Sequence, residues 1–97
     1  MNIQAMMKQA QKIQKEMTSE KNKIDETIYD GTSSIVSVKV KGNKEIVEVK
    51  IDADSLDKED IEMLEDMIVV AINDANQKID KDTEAKLGKY TKGMPGF

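Results

Sequence analysis

The acids Asp52, Asp54, Asp57 and Asp60 are the residues whose type and spacing most invite chemistry, because hard cations such as calcium take clustered carboxylate oxygens. The pattern of a calcium loop fails here: Leu56 stands where a third ligand is needed, and no glycine supplies the sharp turn. A turn followed by a helix cap accounts for the same four acids. Catalysis fares no better. The chain has no histidine and no cysteine, so it lacks an imidazole base, a thiolate nucleophile and a thiolate or imidazole metal site. Gly31 and Gly42 read as isolated turn glycines, which leaves no loop to cradle a phosphate. The expectation is a protein without catalytic residues, metal, cofactor or small-molecule substrate.

The remaining chemistry belongs to lysine, which supplies all fifteen basic residues. An ammonium group holds phosphate as a point charge. The arginine fork that reads a guanine edge is missing, and so is arginine lodged in a narrow minor groove. Tyr29, Tyr90 and Phe97 are the only aromatic residues, too few to stack a single strand. Any nucleic-acid contact is therefore expected to be with duplex phosphates and to show weak sequence preference. A net charge of −4 argues against indiscriminate binding, yet the charges are segregated. Residues 1–24 hold five lysines against two acids, residues 25–80 six against fifteen, and residues 81–97 four against two. Lys8, Lys12 and Lys15 near one end, with Lys86, Lys89 and Lys92 near the other, are the candidate phosphate contacts. The alternative is a solvated helix face with local pairs such as Lys12 and Glu16.

The elements that must position these lysines follow from hydrophobic spacing. Ile3, Met6, Ala10, Ile13 and Met17 recur at steps of three and four, skip at Glu20 and resume at Ile24. That is a heptad seam suited to packing on other helices, a copy of itself included, and it places Lys8, Lys12 and Lys15 on the opposite face. Thr27, Ile28 and Tyr29 form a short β-prone stretch ended by Asp30 and Gly31, with residues 32–34 as loop. Val36, Val38 and Val40 alternate with polar residues, Gly42 and Asn43 turn, and Val47, Val49 and Ile51 alternate again, which predicts a hairpin with one apolar face. Asp57, Glu59 and Asp60 then open a long helix whose apolar stripe runs through Ile61, Leu64, Ile68, Ala71, Ala75 and Ile79, widened by Met67, Val70 and Ile72. Near Lys81 this helix either breaks or frays before Leu87 and Tyr90 resume the stripe. The hairpin's apolar face and the stripe form the natural core.

A chain of 97 residues makes one domain, drawn here as residues 1–92 with 93–97 as a short tail. A domain of this size hides only about two thirds of its unfolded surface, and its core rests on aliphatic side chains and seven methionines. A second copy would help it. No apolar run approaches the roughly 20 residues of a membrane span, and glutamine and lysine interrupt the start where a signal peptide needs an apolar block. A soluble, unprocessed chain in a reducing compartment, without membrane contact, is expected.

Several stretches together resemble the YbaB/EbfC family of bacterial nucleoid-associated proteins. They are Met6 to Lys12; the hairpin from Ile35 to Ile51 ending in Ile51 and Asp52; DIEMLEDMI at 60–68; AINDA at 71–75; and the closing GMPGF at 93–97. They span nearly the whole chain. The resemblance implies an α+β fold of helix, three-stranded antiparallel sheet and long helix, a homodimer with projecting helices, and double-stranded DNA binding in the cytoplasmic nucleoid without enzymatic activity. The six lysines are chosen by their placement and not by the resemblance. The rival expectation is a module that docks onto a partner protein through its N-terminal heptad helix.

Overall fold

The computed structural model describes residues 2–91. Helix α1 (Ile3–Glu26) leads into strands β1 (Ile28–Ser33), β2 (Val36–Lys41) and β3 (Ile46–Ile51), then a 3-10 turn (Lys58–Asp60) and helix α2 (Ile61–Thr91). The strands form one antiparallel sheet in the order β1-β2-β3, so the expected α+β architecture is the one observed. Among the described residues no helix is long and apolar enough to cross a membrane.

Strand β2 sits in the middle of the sheet, and its period of two decides what it buries. Val36, Val38 and Val40 are completely covered, packed on Ala71, Ala75 and Ile79 of α2. The two alanines let α2 come close, and Gly31 lets it come closer still. A Cβ at Gly31 would lie 2.0 Å from the Ala71 carbonyl oxygen and 2.7 Å from the Ala75 nitrogen. This corrects the sequence reading in which Asp30 and Gly31 end the strand. β1 runs on through them and pairs residue for residue with β2, from Ile28 opposite Lys41 to Ser33 opposite Val36. The turn comes later, at Ser34, whose φ is 51°. Gly42 is likewise more than a turn residue, since a Cβ there would lie 1.8 Å from the Ile24 carbonyl oxygen of α1.

α2 is stitched to the edge strand β1 at three levels. The Thr32 N–H donates to Asp74 at 3.0 Å, and the Lys78 ammonium donates to the Asp30 carbonyl at 2.7 Å. The Tyr29 hydroxyl donates to Asp82. The first of these bonds, with Lys78 nearby, holds the Asp74 carboxyl below its usual range. Asp57 and Asp60 do serve as the cap, the Asp57 N–H donating to the Asp60 carboxylate at 3.1 Å. The helix does not break near Lys81: it continues to Thr91. Asp80 is bound by Lys44 at 2.7 Å and Asp82 by Tyr29 and Lys86, so the polar run that suggested a break is tied down by side-chain contacts.

β3 departs most from expectation. It pairs with β2, with an irregularity where Lys39 faces Glu48 and Val40 faces Ile46. α2 lies over β1 and β2 only. All six β3 residues are therefore exposed, Val49 at 45%, and so is Val70 of α2 at 53%, although the stripe had placed it in the core.

Candidate nucleic-acid interface

α1 begins where Asn2 accepts the N–H groups of Gln4 and Ala5 at 3.1 and 3.3 Å, satisfying two of the donors a helix start leaves free. It ends where the Thr27 N–H bonds the Ile24 carbonyl at 3.0 Å. Between these ends the seam is used unevenly. Ile24 is buried and Ile13 and Met17 are half-buried, whereas Ile3 is 70% exposed and Met6 and Met7 are exposed as well. α1 packs on α2, and their side chains meet in antiparallel order. Ile24 lies near Ile79 and Thr83, while Lys15, Glu16 and Ser19 share a surface groove with Tyr90. Residues 3–12, about 15 Å of helix, thus extend past the end of the described part of α2. The molecule spans 71 × 21 × 14 Å, and this arm is one reason for its length.

Lys8, Lys12 and Lys15 are all exposed. At 100° per residue they occupy an arc of about 60° on the face turned away from the seam, spread over about 10 Å. No carboxylate lies within salt-bridge distance of any of them among the described residues, and the Lys12 and Glu16 pair allowed for in the sequence does not form. Most other lysines are occupied. Lys21 pairs with Asp25, Lys23 with Glu20, Lys39 with Asp30, Lys41 with Glu26 and Glu45, Lys44 with Asp80, and Lys78 with Asp74. Lys50, Lys58 and Lys81 form no such pair among the described residues, but each has an acid one or two positions away in the chain. From Asn2 to Lys15 there is no acid at all. The N-terminal part of α1 therefore carries three lysines without an ion pair among the described residues. Lys8 and Lys12 also have no acid within two positions, while Glu16 follows Lys15, and the positive end of the helix dipole lies on the same arm.

The second group of candidates fares differently. Lys86 is held at 3.0 Å by Asp82, which also accepts the Tyr29 hydroxyl. Those two contacts keep the Asp82 carboxyl below its usual range, Tyr29 contributing most. The Lys89 ammonium rests 4.9 Å from the centre of the Tyr90 ring. Lys92 and the tail at 93–97 lie outside the described residues. The groove shared by Lys15 and Tyr90 brings the far end of α2 level with Lys15, whereas Lys8 and Lys12 stand farther out on α1 alone.

One pattern on the arm escaped the sequence reading. Gln4, Lys8, Gln11 and Lys15 follow one another at steps of four, three and four, and all four are exposed. The signal lay in the helical spacing of two neutral amides among the lysines.

Comparison with known proteins covers almost the whole chain. The family model described as YbaB/EbfC DNA-binding family matches residues 1–94. A nucleoid-associated protein of Enterococcus faecalis is 47% identical over 99% of this chain and 94% of its own length. A nucleoid-associated protein of Lactococcus lactis is 46% identical over 98% of both chains. The crystal structure of an uncharacterized protein of Helicobacter pylori superposes with a TM-score of 0.75 at 27% identity, covering 96% of this chain and 99% of the other.

Proposed function

The chain belongs to the YbaB/EbfC DNA-binding family, and from that premise we propose that it is a non-enzymatic nucleoid protein of the bacterial cytoplasm that binds double-stranded DNA as a homodimer. Lys8, Lys12 and Lys15 on the arm of α1 are the chief phosphate contacts. Lys86, Lys89 and Lys92 are secondary, and Lys86 must first give up Asp82. The lysine contacts themselves carry weak sequence preference, because a lysine fixes register on phosphate without reading bases.

The observation that carries this reading is the stretch from Asn2 to Lys15, three lysines with no acid, most of it on the part of α1 that extends past the described end of α2. The homodimer is supported by the uncovered face of β3. Ile46, Val49 and Ile51 pair with Val40, Val38 and Val36, so they share the apolar side of the sheet, yet no helix of this chain lies on them. A second copy would bury them. Docking of a partner protein along the heptad seam is the lesser reading, because Ile13, Met17 and Ile24 already pack within the chain and leave Ile3, Met6 and Ala10.

The test is a salt titration of binding to mixed-sequence duplex. Each phosphate contact adds about −0.9 to the slope of log affinity against log salt, so three lysines on one arm predict about −2.7 and two arms about −5.4. A flat slope, or no binding at low salt, defeats the proposal.

A further inference from the structure

We infer that the arm of α1 enters the major groove and that Gln4 and Gln11 contact adenine edges there, while Lys8 and Lys15 hold the flanking phosphates. The inference rests on the DNA-binding reading above and refines it. At 100° per residue these four side chains lie within an arc of about 60°, over about 16 Å of helix, opposite the seam that packs on α2. They alternate amide, ammonium, amide, ammonium along that stripe. Neither glutamine side chain makes a hydrogen bond among the described residues, so both amides are available.

The fit is one of size and of donor pattern. A single helix with its side chains is about 10–12 Å across, and the major groove is about 12 Å wide and admits one helix. A pair of packed helices does not enter, and residues 3–12 are the part of α1 that α2 does not accompany within the described residues. Adenine offers a donor at N6 and an acceptor at N7 in the major groove, which a glutamine amide matches with its own acceptor and donors. Lack of arginine removes the fork for guanine but leaves this one. The absence of acid from Asn2 to Lys15 spares the arm repulsion from phosphate on either wall of the groove.

The experiment compares the full-length wild type with a Gln4→Ala/Gln11→Ala variant, whose exposed substitutions favour helix and whose fold is checked by circular dichroism. Binding is followed by fluorescence anisotropy on three duplexes of equal length: alternating A·T, alternating G·C, and A·T carrying 7-deazaadenine, which lacks only the major-groove N7. Wild type is expected to prefer A·T over G·C by about fivefold or more and to lose much of that preference on the 7-deaza duplex. The double variant should bind all three alike with its salt slope kept. Equal wild-type binding to all three, a preference that survives 7-deaza substitution, or a preference retained by the double variant overturns the inference while a steep salt slope leaves the DNA-binding reading standing. Absence of any duplex binding by wild type overturns both.

Discussion

Gly31→Ala tests the packing that holds the sheet to α2. The added Cβ would sit 2.0 Å from the Ala71 oxygen, 2.7 Å from the Ala75 nitrogen and 2.9 Å from the Ala75 Cβ. A carbon and a carbonyl oxygen in contact are about 3.3–3.6 Å apart, so roughly 1.3 Å must be opened. Two of the three obstacles are backbone atoms in mid-helix, which cannot swing aside. α2 must move off β1 as a body, thinning the contact of Ala71, Ala75 and Ile79 with Val36, Val38 and Val40 and stretching the bond from Thr32 to Asp74. Overpacking of this kind costs about 1–3 kcal/mol, and the backbone overlap puts this case in the upper part of that range. Stiffening of the unfolded chain by alanine returns about 0.4–1 kcal/mol. The net expectation is a loss of about 2 kcal/mol, which at about 4–8 °C per kcal/mol lowers Tm by about 8–16 °C.

Gly88→Ala is the matched control, since its nearest neighbour would be the Glu84 Cγ at 4.0 Å. In open helix that exchange stabilises by about 1 kcal/mol. Urea unfolding of both variants, read by helix circular dichroism at one fixed protein concentration, should therefore move the midpoint in opposite directions. A Gly31→Ala protein as stable as wild type would refute the claim that the α2 backbone presses on this strand.

Three further outcomes are expected. Lys8, Lys12 and Lys15 all replaced by Glu should abolish duplex binding at low salt while the sedimenting mass stays that of wild type; retained binding would move the interface elsewhere. Val49→Asp places a carboxylate in the uncovered face of β3, so analytical ultracentrifugation should show the proposed dimer reduced to monomer, and an unchanged mass would remove β3 from the joint. The Tyr29 hydroxyl is pushed up from 10.0 to about 12, by burial first and then by its bond to Asp82. The folded protein holds that proton more tightly than the unfolded chain, so the contribution is whole below about pH 10 and fades as pH rises toward 12. Tyr29→Phe should accordingly lose stability less steeply than wild type across that window, and parallel curves would show that the hydroxyl contributes nothing.

What could be read from the sequence was what depends on near neighbours. The alternation of Val36, Val38 and Val40, the steps from Leu64 to Ile79 and the acids opening α2 are local periods and caps, and the structure keeps them. β1 was misjudged for the opposite reason. Asp30 and Gly31 carry a turn signal within the chain, but the requirement at Gly31 comes from a helix forty residues later, which no local window contains. Lys12 and Glu16 were a plausible pair by spacing and do not meet, while Lys44 and Asp80 meet across 36 positions. Which lysines remain free is therefore a property of the fold.

The exposure of β3 follows from widths alone. Strands lie about 4.8 Å apart, and a helix with its side chains is about 10–12 Å across, so one helix on one face covers two strands and not three. α2 is seated over β1 and β2 by Gly31, Asp74, Lys78 and Asp82, and cannot shift toward β3 without giving up those contacts. Ile46, Val49 and Ile51 are thus left bare at the sheet end, while the free arm of α1 lies past the other end of the packed helices. Two copies joined across β3 would bury the apolar face without touching Lys8, Lys12 or Lys15. That separation is why Val49→Asp and the lysine reversals are expected to fail in different assays, one losing mass and the other losing DNA.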